Sequence, residues 1–108
     1  MLISTMNDLP GYEITEVIGE RMALTVRSRH VGSQIGAGLK SLVGGELKGM
    51  TKMLIEGREQ AVERLVEQAE AAGGNAIVAF RYDTSELGDV WTEICAYGTV
   101  VKARKIGG

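Results

Sequence analysis

The sequence predicts an α+β domain in which one long helix, preceded by a short one, lies on a mostly antiparallel sheet, in the order β-β-α-α-β-β. Three observations carry that expectation. Apolar and polar residues alternate from Glu13 to Ser28, a 3.6-residue apolar period runs from Met50 to Ala72, and two alternating runs follow a double glycine. Strands and helices segregated along a chain in this way belong to α+β layering rather than to a parallel α/β sheet.

The first strand candidate is LIST (2–5), closed by NDLPGY (7–12), where the only proline and a glycine supply turn chemistry. In EITEVIGERMALTVRS (13–28), strict alternation puts Ile14, Ile18, Met22, Leu24 and Val26 on one face, with a bulge expected at Gly19. Glu16 and Glu20 then fall on that same apolar face. The glycine-rich stretch 31–49 leaves room for a short helix around Gln34 to Leu42. From Met50 the residues Leu54, Ala61, Leu65, Ala69 and Ala72 form one stripe at about 100° per residue. Gly73 and Gly74 end the helix, because glycine accepts a left-handed cap. NAIVAFRYD (75–83) reads as a strand, SELGD (85–89) as a turn, and VWTEICAYGTVVKARK (90–105) as a long final strand.

At 108 residues the expectation is a single domain over 1–108. The 44% apolar and 24% charged content is that of an ordinary globular chain, and a net charge of -2 attracts neither nucleic acid nor anionic membrane. One cysteine rules out an internal disulfide framework and suits a reducing compartment. The N-terminal residues lack the basic start and apolar core of a secretion signal, so the expected location is cytoplasmic.

GGELKGMT (44–51) nearly spells the phosphate-binding loop G-x-x-x-x-G-K-[ST], but Met50 stands where the lysine must meet the phosphates. Lys48 and Lys52 sit at the wrong offsets, and the stretch reads as a tight connection between helices. Glu56, Glu59, Glu63, Glu67 and Glu70 make an acidic ridge opposite the apolar stripe. The ridge reads either as a solvated face or as one met by Arg27, Arg29, Lys102, Arg104 and Lys105 of a neighbouring subunit. Arg58 falls inside the apolar stripe. A buried guanidinium needs an anionic partner, so Arg58 either pairs with Glu20, within the chain or across a subunit boundary, or snorkels outward. The weak metal-ligand candidates are Cys95 and His30, far short of the three or four ligands of a zinc site. Cys95 reads as a small buried strand residue, and with one histidine in the chain no cysteine–histidine pair stands out for nucleophilic catalysis.

The segments EVIGE (16–20), LVGGELKGMTKML (42–54), REQAVERLVEQAEAAGGNAIVAFRYD (58–83) and YGTVVKA (97–103) resemble the YbjQ-like family of small bacterial and archaeal proteins labelled heavy-metal-binding. The resemblance implies a dodecin-like subunit and a ring-shaped homopentamer, and it implies no established reaction. The functional expectation is therefore a homo-oligomeric binding module for a metal ion or a small anion held between subunits, near Glu20, Arg58, Gly44 and Gly45. The alternatives are an enzyme with a composite intersubunit site, using Glu20 as acid/base and Arg58 as an anion holder, and a structural scaffold with no small ligand. No nucleic-acid or membrane partner is expected.

Overall fold

The computed structural model describes residues 1–28 and 48–107. Its elements are β1 (Leu2–Ile3), β2 (Tyr12–Ser28), α1 (Lys48–Ala71), β3 (Ala76–Leu87) and β4 (Trp91–Lys105). β4 organises the sheet, whose order is β1-β3-β4-β2: it pairs antiparallel with both β2 and β3, while β1 pairs parallel with β3. The class is thus α+β with one helix, among the described residues, on a mixed four-stranded sheet. The short helix expected at 34–42 lies outside the described residues. The expected turn at 85–89 is smaller, since β3 continues through Leu87.

α1 forms because its run of Ala, Leu, Glu, Gln and Arg favours helix and because its buried stripe has somewhere to go. Met53, Gly57, Ala61, Leu65 and Ala69 are the buried positions. Ala61, Leu65 and Ala69 pack with Ala23, Ile77, Phe80, Ile94, Ala96 and Val100 into the main core. The helix ends as the double glycine requires. Gly73 takes φ 87°, its N–H donates to the Glu70 carbonyl at 3.0 Å, and the Gly74 N–H donates to Ala69 at 2.9 Å. That is a Schellman cap.

A glycine on the helix, Gly57, sets how close the layers come. A Cβ on Gly57 would stand 2.4 Å from Ile94 Cδ1, so α1 touches β4 directly at that point. Thr25 Oγ1 donates to the Gly57 carbonyl at 3.1 Å beneath the same crossing, satisfying a buried hydroxyl.

The expected bulge at Gly19 is present: register slips between Val17 and Gly19, with Gly19 at φ 133°. A second slip lies between Ile14 and Glu16. Each bulge adds a residue and reverses the facing of the strand beyond it. The single apolar face expected on β2 is therefore corrected. Ile14 packs behind the sheet against the small cluster of Leu9, Ala76, Val78 and Val101, whereas Ile18 packs under the helix. Ala23 and Thr25 are the buried residues of the upper strand, and Met22, Leu24 and Val26 are exposed on the opposite face. Glu16 and Glu20 are both exposed as well.

Candidate functional site

α1 covers one face of the sheet. The other face is covered at one end by Leu9 and the N-terminal turn, and beyond that the described residues leave it open. Cross-strand register arranges the open area in rows: Met22, Tyr97 and Arg81; Leu24, Cys95 and Asp83; Val26, Glu93 and Ser85; Ser28, Trp91 and Leu87. Met22, Leu24, Val26, Leu87 and Trp91 are each at least 42% exposed. The area is thus apolar along β2 and at the hairpin tip, and charged along β3. Apolar side chains grouped this way on a small protein mark a contact surface more often than a solvent face.

Cys95 sits at the centre of these rows. It is 8% exposed, and its thiol pKa is raised, first by burial and then by the negative charges of Glu93, Asp83 and Glu20. A metal-binding cysteine needs the thiolate, and this setting favours the protonated thiol. Among the described residues no group of three or more His, Cys, Asp and Glu side chains converges on a point that would hold an ion. One chain's described residues therefore do not fit a heavy-metal site. His30, Gly44 and Gly45 lie outside the described residues.

Arg58 is exposed, and its guanidinium carbon lies 4.8 Å from the centroid of the Tyr82 ring. Tyr82 is itself edge-on to Phe80, with centroids 4.9 Å apart. Tyr82 is opposite Ala96, on the helix side, whereas Glu20 is opposite Thr99, on the open side. A pair between Arg58 and Glu20 within one chain is therefore not formed. The aromatic face takes the place of the expected carboxylate, a cation–π contact that lets the arginine stem cover the strand while its head stays wet. Helical periodicity does not say which strand lies beneath Arg58, and that strand is β3, not the β2 that carries Glu20.

The acidic ridge is largely a solvated face, with Glu59, Glu63, Glu67 and Glu70 exposed. Its first member is met from within the chain, since Arg27 and Lys52 approach Glu56 at 4.0 and 3.9 Å. Lys102 and Arg104 likewise face Glu16 and Glu13 of the same chain, at 3.9 and 2.6 Å. These exposed pairs contribute little to stability, but they place the cations beside carboxylates of their own chain.

The residue pattern gives no sign of how the β2 edge is treated. The outward carbonyls of Glu20, Met22 and Leu24 accept hydrogen bonds from Arg21, Gln68 and Arg64 at 2.8, 2.9 and 2.8 Å. Two of these donors come from the helix, so α1 protects the edge as well as one face. No helix of the described residues is long and apolar enough to cross a membrane.

Known proteins resemble this chain. A UPF0145 protein of Streptomyces coelicolor is 67% identical over 94% of this chain and 95% of its own length. One from Acidothermus cellulolyticus is 59% identical over 98% of each chain, and one from the archaeon Thermoplasma volcanium is 50% identical over 94% of this chain and 83% of its own. The crystal structure of a protein of unknown function from Pediococcus pentosaceus, assigned to the DUF74 family, superposes with a TM-score of 0.65 over 96% of this chain and 98% of that one, at 19% identity. That likeness is one of fold. The model of the YbjQ_1 family, described as "Putative heavy-metal-binding", matches residues 1–104. With the match spanning the helix and all but the last residue of the described strands, the chain belongs to the YbjQ family of UPF0145 proteins.

Proposed function

We propose that the chain is the subunit of a homo-oligomeric binding module, a cytoplasmic ring of five dodecin-like subunits that holds a metal ion or a small anion at subunit boundaries. The observation that carries this reading is the open sheet face. A domain of this length that packs only on itself has a radius of gyration of about 13 Å, whereas this subunit has 17.3 Å, with extents of 55 × 26 × 17 Å. Exposed apolar rows on an elongated subunit are what a neighbouring copy would cover.

The same geometry bears on the ligand. Glu20 and Arg58 stand on opposite faces of one sheet, so they serve one ligand only where two subunits meet. The described residues of a single chain gather too few metal donors, which likewise directs a metal ion to a boundary where Cys95 or carboxylates of several copies converge. The enzyme reading gains no support from any one observation, because acid/base and anion holder are apart within the chain.

Native mass spectrometry on untagged protein, purified without chelator, tests the proposal. A pentamer carrying extra mass supports a binding module, and the mass difference identifies the ligand class. A pentamer with no extra mass replaces the module with a scaffold, and a monomer removes the ring altogether.

A further inference from the structure

The arm of β3 beyond Val78 owes its facing to one extra residue. Val78 is paired with Thr99 and Arg81 with Tyr97, so Ala79 and Phe80 together oppose Gly98. That is a β-bulge, and it reverses the strand beyond it. Ile77 and Phe80, three residues apart, therefore both pack in the main core, and Tyr82 follows Phe80 to reach Arg58. Arg81 and Asp83 are turned to the open face with Tyr97 and Cys95. The bulge closes on a position that only glycine fits: a Cβ on Gly98 would stand 2.6 Å from Ile77 Cγ2 and 3.0 Å from the Val78 carbonyl oxygen.

The bulge is strained, and the N-terminal segment holds it. Among the described residues Ala79, at φ 52°, is the one non-glycine residue with a positive φ. A Cβ meets a steric penalty there that glycine escapes. The Ala79 N–H donates to the Met6 carbonyl at 2.7 Å and the Phe80 N–H to the Ser4 carbonyl at 3.0 Å, while the Ser4 N–H donates to Ile77 at 2.9 Å. Arg81 Nη1 donates to the Thr5 carbonyl at 2.8 Å, so residues 4–6 are bonded on both sides of the bulge. The Met6 N–H in turn donates to Ser4 Oγ at 3.0 Å. Before Leu9, which is buried, the segment has little apolar anchorage, since Leu2, Ile3 and Met6 are exposed. A segment held by surface hydrogen bonds with little burial opens at low local cost.

We infer that residues 2–6 are a strap that latches the Ala79 bulge, and that strap and bulge open together as one unit, releasing the facing of the arm from Arg81 to Leu87. The strain at Ala79 favours the open form and the strap's hydrogen bonds favour the closed one, so a few contacts are enough to move the balance between them. The arm carries Arg81, Asp83 and Ser85 of the open face. Whatever seats on that face with these side chains as they stand favours the closed strap, and a change at the strap is felt at the open face in return. The device acts within one chain and does not depend on the number of subunits.

Amide exchange followed by nuclear magnetic resonance on wild type, Ala79→Gly and Ser4→Pro tests it. Glycine accepts the positive φ, so Ala79→Gly removes strain from the closed form alone. The Ser4 amide, whose own neighbours are unchanged, should then exchange roughly threefold or more slowly, and the globally protected amides of β4 should slow with it. Slowing in β4 with Ser4 unaltered would show that the strap opens over an intact bulge, and no slowing at either would show that Ala79 carries no strain; each result overturns the latch. Ser4→Pro removes the bond to Ile77 and the hydroxyl that braces Met6. The expected result is faster exchange at Ala79 and Phe80 and loss of the upfield ring-current shift that Tyr82 gives the Arg58 side-chain protons, with β4 still protected. Ala79 and Phe80 amides as slow as in wild type would overturn the strap, and an unaltered Arg58 shift beside fast amides would overturn its coupling to the arm. Should Ser4→Pro unfold the chain, the Ser4 amide of Ala79→Gly still decides whether strap and bulge open together.

Discussion

Gly57 decides how close the helix comes to the sheet, and that makes it a residue whose role can be measured. Adding a methyl group there sets a carbon 2.4 Å from the end of Ile94, so either the side chain shifts or α1 lifts. Overpacking of this kind costs about 1–3 kcal/mol. Gly57→Ala should lose that much in urea unfolding, and adding Ile94→Val, which removes the clashing carbon, should return part of it. Additive losses in the double variant would show that the two atoms are not in conflict. Cys95 supports a second expectation. Its folded-state pKa is raised, so the native protein holds the thiol proton more tightly than the unfolded chain does. Stability is therefore level below the unfolded thiol pKa of about 8.5 and falls as pH rises above it. Cys95→Ser should flatten that alkaline decline in thermal melts taken between neutral and alkaline pH.

The helix and the strands differ in how much of them the sequence disclosed. Both signals for α1 are local: its period is regular, and its stop is written as Gly73-Gly74. Replacing Gly73, at φ 87°, by alanine forces a Cβ into the left-handed region and should cost about 1 kcal/mol. The melting temperature, read at fixed protein concentration, should then drop by roughly 4–8 °C. β2 was legible only in part. Gly19 announced its bulge, but nothing in the residue pattern marks Thr15 as the site of the other slip, and each slip inverts the strand. Hydrophobic patterning sends the bulky Met22, Leu24 and Val26 inward. In the fold the helix approaches so closely at Gly57 that the smaller Ala23, Thr25 and Ala96 take the places beneath it. Size, set by a contact distant in sequence, overrode hydrophobicity. Of the two readings of Arg58, outward snorkelling agrees with its exposure, but a wheel drawn for one helix contains no information about Tyr82, a strand away.

At the scale of the whole molecule, the placing of Ala23 and Thr25 under the helix leaves Met22, Leu24 and Val26 on a second apolar face, the one that Ile14 shares because the two slips cancel. One is closed by α1 and the other is left to whatever meets the chain. Leu24 and Val26 are 42% and 53% exposed in the single subunit, so charging them removes little of its own packing. Surface changes of this kind usually move monomer stability by about 0.5 kcal/mol or less. In an assembly that buries them, two carboxylates per subunit in apolar contact would instead be strongly unfavourable. The double variant Leu24→Glu with Val26→Glu should therefore keep its helical circular dichroism and lose subunits by native mass spectrometry. If the charged variant assembles as the wild type does, the open face is not where copies meet, and any contact between subunits lies along the sheet edges or the helix.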